Sequence, residues 1–176
     1  MENKDTSAVR HAMKFGAIVG LGLTIFSLLL YAFGINQNEF QYPSYLIMVV
    51  GLIAGIKRFR DLAMDGFISY GKALKTGTLI ALFGAFIFNF YMYIFYKYID
   101  ASQLDLILEQ VKIQMVNQGR SEEEMDLAMT MMEKFMTPGG MFISGIFGYT
   151  LTGFIFSLII AIFLKKENLS PEIENK

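Results

Sequence analysis

The chain contains no cysteine and a single histidine, His11. The first absence removes disulfides, thiolate metal sites and cysteine nucleophiles. The second removes multi-histidine metal sites and leaves a serine–histidine–aspartate relay with no base except His11, in the polar N-terminal segment. Proline is scarce, three residues in 176, so long helices meet few interruptions. Charge is thin as well: Asp, Glu, Lys and Arg make up 18% of the chain against 54% hydrophobic residues, too apolar for a soluble domain of this length. Four long stretches carry no charged side chain, and proton relays, coupled-ion sites and voltage sensors need charge inside the membrane. No catalytic, cofactor or metal constellation is visible.

What is present is apolar sequence of membrane-spanning length. Residues 15–33 reach about 28 Å as a helix, close to a hydrocarbon core of about 30 Å. Lys4, Arg10 and Lys14 before them resemble the start of a signal peptide, but the apolar stretch exceeds the ~7–15 residues of a signal core, so an uncleaved span is expected. Residues 42–56 form a shorter span, opening with Pro43 in a first helical turn and closing on Lys57 and Arg58, whose stems can reach the interface. Residues 77–96, interrupted only by Asn89, and residues 141–164, ending at Lys165 and Lys166, are the other two. Abundant glycine and phenylalanine, 16 and 17 residues, suit closely packed helices with lipid-facing aromatics.

Basic residues orient the spans. With four, the N-terminus, second loop and C-terminus hold eleven Lys and Arg against four (Lys97, Lys112, Arg120 and Lys134) on the other side. Both termini are therefore expected in the cytoplasm. Without residues 42–56 as a span the same charges divide seven to eight, with no bias. Tyr31, Tyr42, Tyr45, Tyr91, Tyr93, Tyr96 and Tyr98 fall where an outer aromatic belt belongs.

Residues 102–136 predict an extracytoplasmic amphipathic helical hairpin between spans three and four. Ser102 with Asp105, and Ser121 with Glu124, have capping-box spacing, and Gly119-Arg120 is the turn. Leu104, Ile107, Leu108, Val111 and Met115 line one face of the first helix; Met125, Ala128, Met129, Met132, Phe135 and Met136 line one face of the second. These faces are the candidate partner-binding residues. Between residues 98 and 140 eight acids face three bases, so a basic partner or solvent is expected rather than anionic headgroups. Seven of the twelve methionines lie between Met115 and Met141; Met129, Met132 and Met136 have the softness for Cu(I), but an adaptable apolar filling needs no metal.

Small residues recur at four-residue spacing: Gly16 with Gly20, Gly51 with Gly55, Gly77 with Ala81 and Ala85, and Ser144 with Gly148 and Thr152. Such faces allow helix backbones to approach closely, within one chain or between copies. Asn89 continues the Ala85 face and is the candidate intramembrane polar contact. A polar cavity reaching Asn89, Thr24 and Ser27 would instead mark a channel. In the cytoplasmic loop, Arg58, Arg60, Asp61, Asp65, Tyr70 and Lys72 are the candidate site residues. Leu62, Phe67 and Tyr70 could dip into the interface while the bases meet anionic lipid. Asp61 and Asp65, four apart, would share a helix face.

The order of spans, the long insert before the last, and the loop phrase Gly66-Phe67-Ile68-Ser69-Tyr70-Gly71-Lys72-Ala73 resemble a bacterial family of four-span membrane proteins catalogued as a domain of unknown function (DUF4199-like). The resemblance implies a similar bundle in a bacterial inner membrane and brings no activity or catalytic residues with it. The expected fold is thus all-α, an integral membrane four-helix bundle with an outer helical hairpin. The expected function is non-enzymatic assembly through that hairpin, the alternative being a small channel, transporter or lipid-binding protein. Expected partners are membrane lipid and a second copy or another membrane protein, with no cofactor and no nucleic acid.

Overall fold

The structure, a computed structural model, describes residues 4–35 and 41–166. It is helical throughout: α1 (Lys4–Ala32), α2 (Gln41–Ala63), α3 (Tyr70–Ile94) running into a π-helical turn Phe95–Ile99, α4 (Ser102–Asn117), α5 (Glu122–Phe135) and α6 (Pro138–Leu164). The helices outrun the apolar stretches that announced them, most of all along residues 4–14 of α1 and 57–63 of α2, where no proline or glycine interrupts the polar flank. Three segments, Ala8–Ala32, Tyr70–Ile99 and Pro138–Leu164, are long and apolar enough to cross a membrane. Helix α2 falls short of that composition because Gln41 and the Lys57, Arg58 and Arg60 cluster bracket its apolar middle. Lys176, counted above among the basic residues, lies outside the described residues.

The chain divides into two compact units, residues 1–87 with 149–176, and residues 88–148. In the first, α1 and α2 pack side by side. Ala12, Val19, Leu23, Ser27 and Leu30 on α1, and Met48, Leu52, Ile56 and Phe59 on α2, are buried, each set following the helical repeat. Glycines set the spacing. A Cβ at Gly20 would stand 2.7 Å from the Gly84 carbonyl oxygen and 2.8 Å from the Ile87 Cβ, so α1 and α3 meet almost backbone to backbone. Gly51 receives Val19, Gly55 receives Phe15 and Ile80, and Gly77 receives Ser157.

On α6 the outcome differs from expectation. The packing stripe is Gly153, Ser157 and Ala161, with Ala81 seated on Gly153. Of the predicted stripe, Ser144 and Gly148 are turned away and Thr152 is half-buried: a side chain at Gly148 would meet nothing within 4 Å, and Ser144 is exposed. Helix α6 carries small residues in two neighbouring registers, and only packing against α3 selects between them. The buried hydroxyls return to their own helices, Ser157 donating to the Gly153 carbonyl at 2.7 Å and Thr76 to that of Lys72 at 2.8 Å. Both of these donors are thereby met where water is absent, whereas the buried Thr150 hydroxyl has no hydrogen-bond partner among the described residues. Opposite the buried faces run exposed apolar stripes: Ile18, Leu21 and Ile25 on α1; Leu46, Val50 and Ile53 on α2; Leu151, Ile155, Ile159 and Phe163 on α6. Apolar surface so extensive matches lipid rather than water.

The second unit is built around Phe95. This ring is fully buried, 5.9 Å from that of Tyr91 and 5.8 Å from that of Tyr96. The predicted tyrosine belt is therefore split. Tyr42 and Tyr98 are exposed as a belt requires, whereas Tyr96 is turned into the interior because the π-helical turn rotates it onto Phe95. Lys97 lies 3.0 Å from the Tyr93 hydroxyl, to which it donates, and over the rings of Tyr93 and Tyr98.

The two helix starts differ. Ser121 and Glu124 form the full capping box: the Ser121 hydroxyl accepts from the Glu124 amide at 3.3 Å, and the Glu124 carboxylate accepts from the Ser121 amide at 3.2 Å. The expected Ser102–Asp105 box is not formed. Asp100 takes its place, its carboxylate accepting from the Ser102 amide and hydroxyl at 3.1 and 2.6 Å and from the Gln103 amide group at 3.0 Å. A carboxylate two residues earlier out-competes a hydroxyl as an acceptor for the first turn. Between the two helices Gly119 sits at φ +71°, a left-handed value that glycine adopts without strain.

Candidate functional site

Three places carry the side chains that the sequence singled out. The first is Asn89, only 4% exposed, on α3. Its amide occupies the space left by Gly145 of α6, where any side chain would collide with it. Asn89 thus joins two helices at a close crossing, the role of an intramembrane hydrogen-bonding amide. Thr24 does not offer its hydroxyl to a cavity either; it donates to the Gly20 carbonyl of its own helix at 2.9 Å.

The second is the α4–α5 pair. The two helices pack on each other. Leu104 is buried, and Ile107, Leu108, Val111, Met115, Met125, Ala128, Met129, Met132 and Met136 are half-buried, so most of the predicted partner-binding faces are spent within the pair. Phe135 is the exception: it is 75% exposed. With Leu127 (61%) and Met131 (56%) it makes an apolar stripe at four-residue spacing on the outward side of α5. The sequence pattern missed this stripe because α5 has apolar residues on two faces, and the more continuous one was taken first. On the other side of α5, toward Lys112 of α4, a cleft of about 420 Å³ is lined by Lys112, Glu122, Met125, Asp126, Met129, Thr130 and Glu133, a methionine floor under three carboxylates and one ammonium group.

The third is the segment after the apolar part of α2. The structure does not leave it as a free loop. Ile68, almost wholly buried, exchanges both backbone hydrogen bonds with Lys166 at 2.9 Å, the Lys166 ammonium lies over the Phe67 ring, and the Tyr70 hydroxyl donates to the Leu158 carbonyl at 3.4 Å. The phrase Gly66 to Ala73 is accordingly a staple onto the end of α6, and Phe67 and Tyr70 are half-buried there while Leu62 is exposed. Asp65 and Gly66 turn the chain with φ of +52° and +83°, past the end of α2. Asp61 and Asp65 consequently do not share a helix face, and the two-carboxylate arrangement is lost. Arg60 donates to Asp61 at 2.7 Å and to the Leu164 carbonyl at 3.4 Å. This hydrogen bond, with the charges of Arg60, Lys57 and Lys166, holds the Asp61 carboxyl below the usual carboxylate range against a smaller opposing effect of burial. Lys72 is exposed.

His11 was not singled out by the sequence. Its ring shares a hydrogen bond of 2.9 Å with the Gly55 carbonyl, stacks on Phe15 at 4.7 Å and leans on Phe59 at 5.2 Å, tying α1 to α2. Next to it a groove of about 510 Å³ is lined by Phe15, Ala54, Lys57, Arg58, Asp61 and Leu62. Among the described residues, no group of three or more His, Cys, Asp or Glu side chains could hold a metal ion.

One family model matches the chain, over residues 14–166, and its description is a protein of unknown function (DUF4199). No curated protein and no solved structure matches.

Proposed function

Because the chain belongs to the DUF4199 family, whose description assigns no activity, we propose a function from its geometry. The protein is a four-span, non-enzymatic component of a bacterial inner membrane, with both termini in the cytoplasm. Its α4–α5 pair is an extracytoplasmic module that docks a basic, amphipathic segment of another membrane protein. The observation that carries this reading is the exposed Leu127, Met131 and Phe135 stripe on an acidic helix whose other side lines a cleft with three carboxylates.

Helix α2 as the fourth span is supported by its 23 residues, about 34 Å of helix, and by its two apolar faces, one buried on the bundle and one exposed as Leu46, Val50 and Ile53. Orientation follows from the eleven-to-four division of basic residues. The partner is basic because residues 98–140 hold five more acids than bases; two copies of the same acidic pair would repel each other across an interface.

Sidedness is directly measurable, since the chain has no cysteine of its own. In intact cells Gln118→Cys is expected to react with a membrane-impermeant maleimide and Asp65→Cys to be protected until the membrane is opened; the reverse pattern overturns the orientation. Docking is tested with a photo-crosslinking residue at position 131 in native membranes. A discrete heavier adduct is expected, reduced on the order of tenfold when Glu122, Asp126 and Glu133 are changed together to lysine. Adducts only to lipid or to a second copy overturn it.

A further inference from the structure

We infer that the groove between α1 and α2 is a binding site for one anionic phospholipid of the cytoplasmic leaflet, an inference that rests on the topology proposed above for α2 as a span and for which leaflet supplies the lipid. The groove has the two-part chemistry of such a molecule. Phe15, Ala54 and Leu62 offer an apolar bed, and Lys57 and Arg58 stand at its edge. Neither cation has a hydrogen bond or salt bridge among the described residues. Asp61, the one acid in the lining, is bonded to Arg60 at 2.7 Å and lies in the field of Lys57, so the groove and its border keep a net positive charge.

The position on the helix points the same way. Lys57 and Arg58 directly follow the apolar part of α2, the depth at which lipid phosphates meet the ends of spanning helices. The groove wall is braced from α1, where His11 is bonded to the Gly55 carbonyl and stacked on Phe15. A basic pocket between helices, apolar beneath, is the form in which membrane proteins retain anionic headgroups. Phosphatidylcholine would fill the bed equally well, but its own quaternary ammonium cancels the attraction to Lys57 and Arg58. Inorganic phosphate would meet the cations but has nothing to lay along Phe15 and Leu62.

The test is native mass spectrometry of the full-length protein in detergent, titrated with phosphatidylglycerol, with phosphatidylcholine of the same acyl chains, and with inorganic phosphate. One phosphatidylglycerol is expected to bind in preference to phosphatidylcholine, with no retention of phosphate. Changing Lys57 and Arg58 together to glutamine is expected to lower phosphatidylglycerol affinity roughly 25-fold, the loss of two charge contacts. The same charge change at Arg120 and Lys134 is expected to leave it unaltered. Ala54→Phe, an exposed position, fills the bed without touching charge and is expected to lower affinity for both lipids while the protein stays folded. Equal affinity for the two lipids, equal loss in the Arg120 and Lys134 variant, or unchanged binding in Ala54→Phe each overturns the site. The measurement is made in detergent, so it is independent of sidedness. Inverted cysteine labelling with intact lipid selectivity would fault the topology alone.

Discussion

Replacing Gly20 with valine is expected to separate α1 from α3 and to destabilise the folded protein by about 3 kcal/mol, at the upper end of what overpacking costs. The cost is high because a side chain at Gly20 meets the Gly84 carbonyl oxygen at 2.7 Å, and a backbone atom in the middle of a helix cannot swing aside as a flexible side chain can. Ile87, at 2.8 Å, closes the other direction. Adding a methyl group at Gly148, where nothing lies within 4 Å, is expected to have the opposite sign: alanine in place of glycine within a helix stabilises by up to about 1 kcal/mol. Both values are read from reversible unfolding in mixed micelles, by far-ultraviolet circular dichroism against denaturing detergent. Should Gly20→Val unfold at the same detergent fraction as the parent, the close α1–α3 crossing is wrong.

Truncating Phe95 to alanine is expected to cost about 3–5 kcal/mol, the range for removing a buried aromatic ring. Phe95 is fully buried, so the cavity cannot be filled by lipid or water, and Tyr91 and Tyr96 lose a ring partner on either side. The change is local to residues 88–148, which form one of the two compact units. Proteolysis is therefore the informative second readout: faster cleavage at the α4–α5 turn is expected in Phe95→Ala, with the remainder of the chain still protected. Uniformly faster cleavage along the chain would contradict the division into units. The two substitutions act by opposite errors of volume, one by adding atoms where backbones touch and one by removing them from a filled core.

Several features were legible in single residues. The capping box at Ser121 and Glu124 needs only a serine, a glutamate and their spacing, because both hydrogen bonds close within one turn. Residues 15–33, 77–96 and 141–164 announced their helices for the same local reason, since an uncharged apolar run of that length has no other stable form in a bilayer. The faces of Gly16 with Gly20 and of Gly51 with Gly55 were also legible, each helix offering only one small-residue register there. The Ser102 cap was not legible because its acceptor, Asp100, precedes the Ser-x-x-Asp spacing. The exposure of Phe135 was not legible because it sits on the boundary of two apolar faces, and its direction depends on which face α4 covers.

The candidate site was less legible than the fold. Arg58, Asp61 and Leu62 could be named as unusual, but not the groove, because Phe15 comes from another helix more than forty residues earlier. His11 looked like an isolated polar residue until the Gly55 carbonyl was placed beside it. The phrase from Gly66 to Ala73 was noticed as a motif, yet its work, pairing Ile68 with Lys166, joins residues nearly a hundred positions apart.

By itself the sequence determined the helical class, the membrane-compatible stretches, the bias of basic residues and the exclusion of cysteine chemistry, all of which depend on composition and short-range spacing. Only the tertiary structure decided which small-residue stripe of α6 is buried, which face of α5 is left open, and which cations border an apolar groove. Those outcomes depend on distances between helices, and a periodic pattern specifies how residues are arranged around one helix without specifying what stands opposite them.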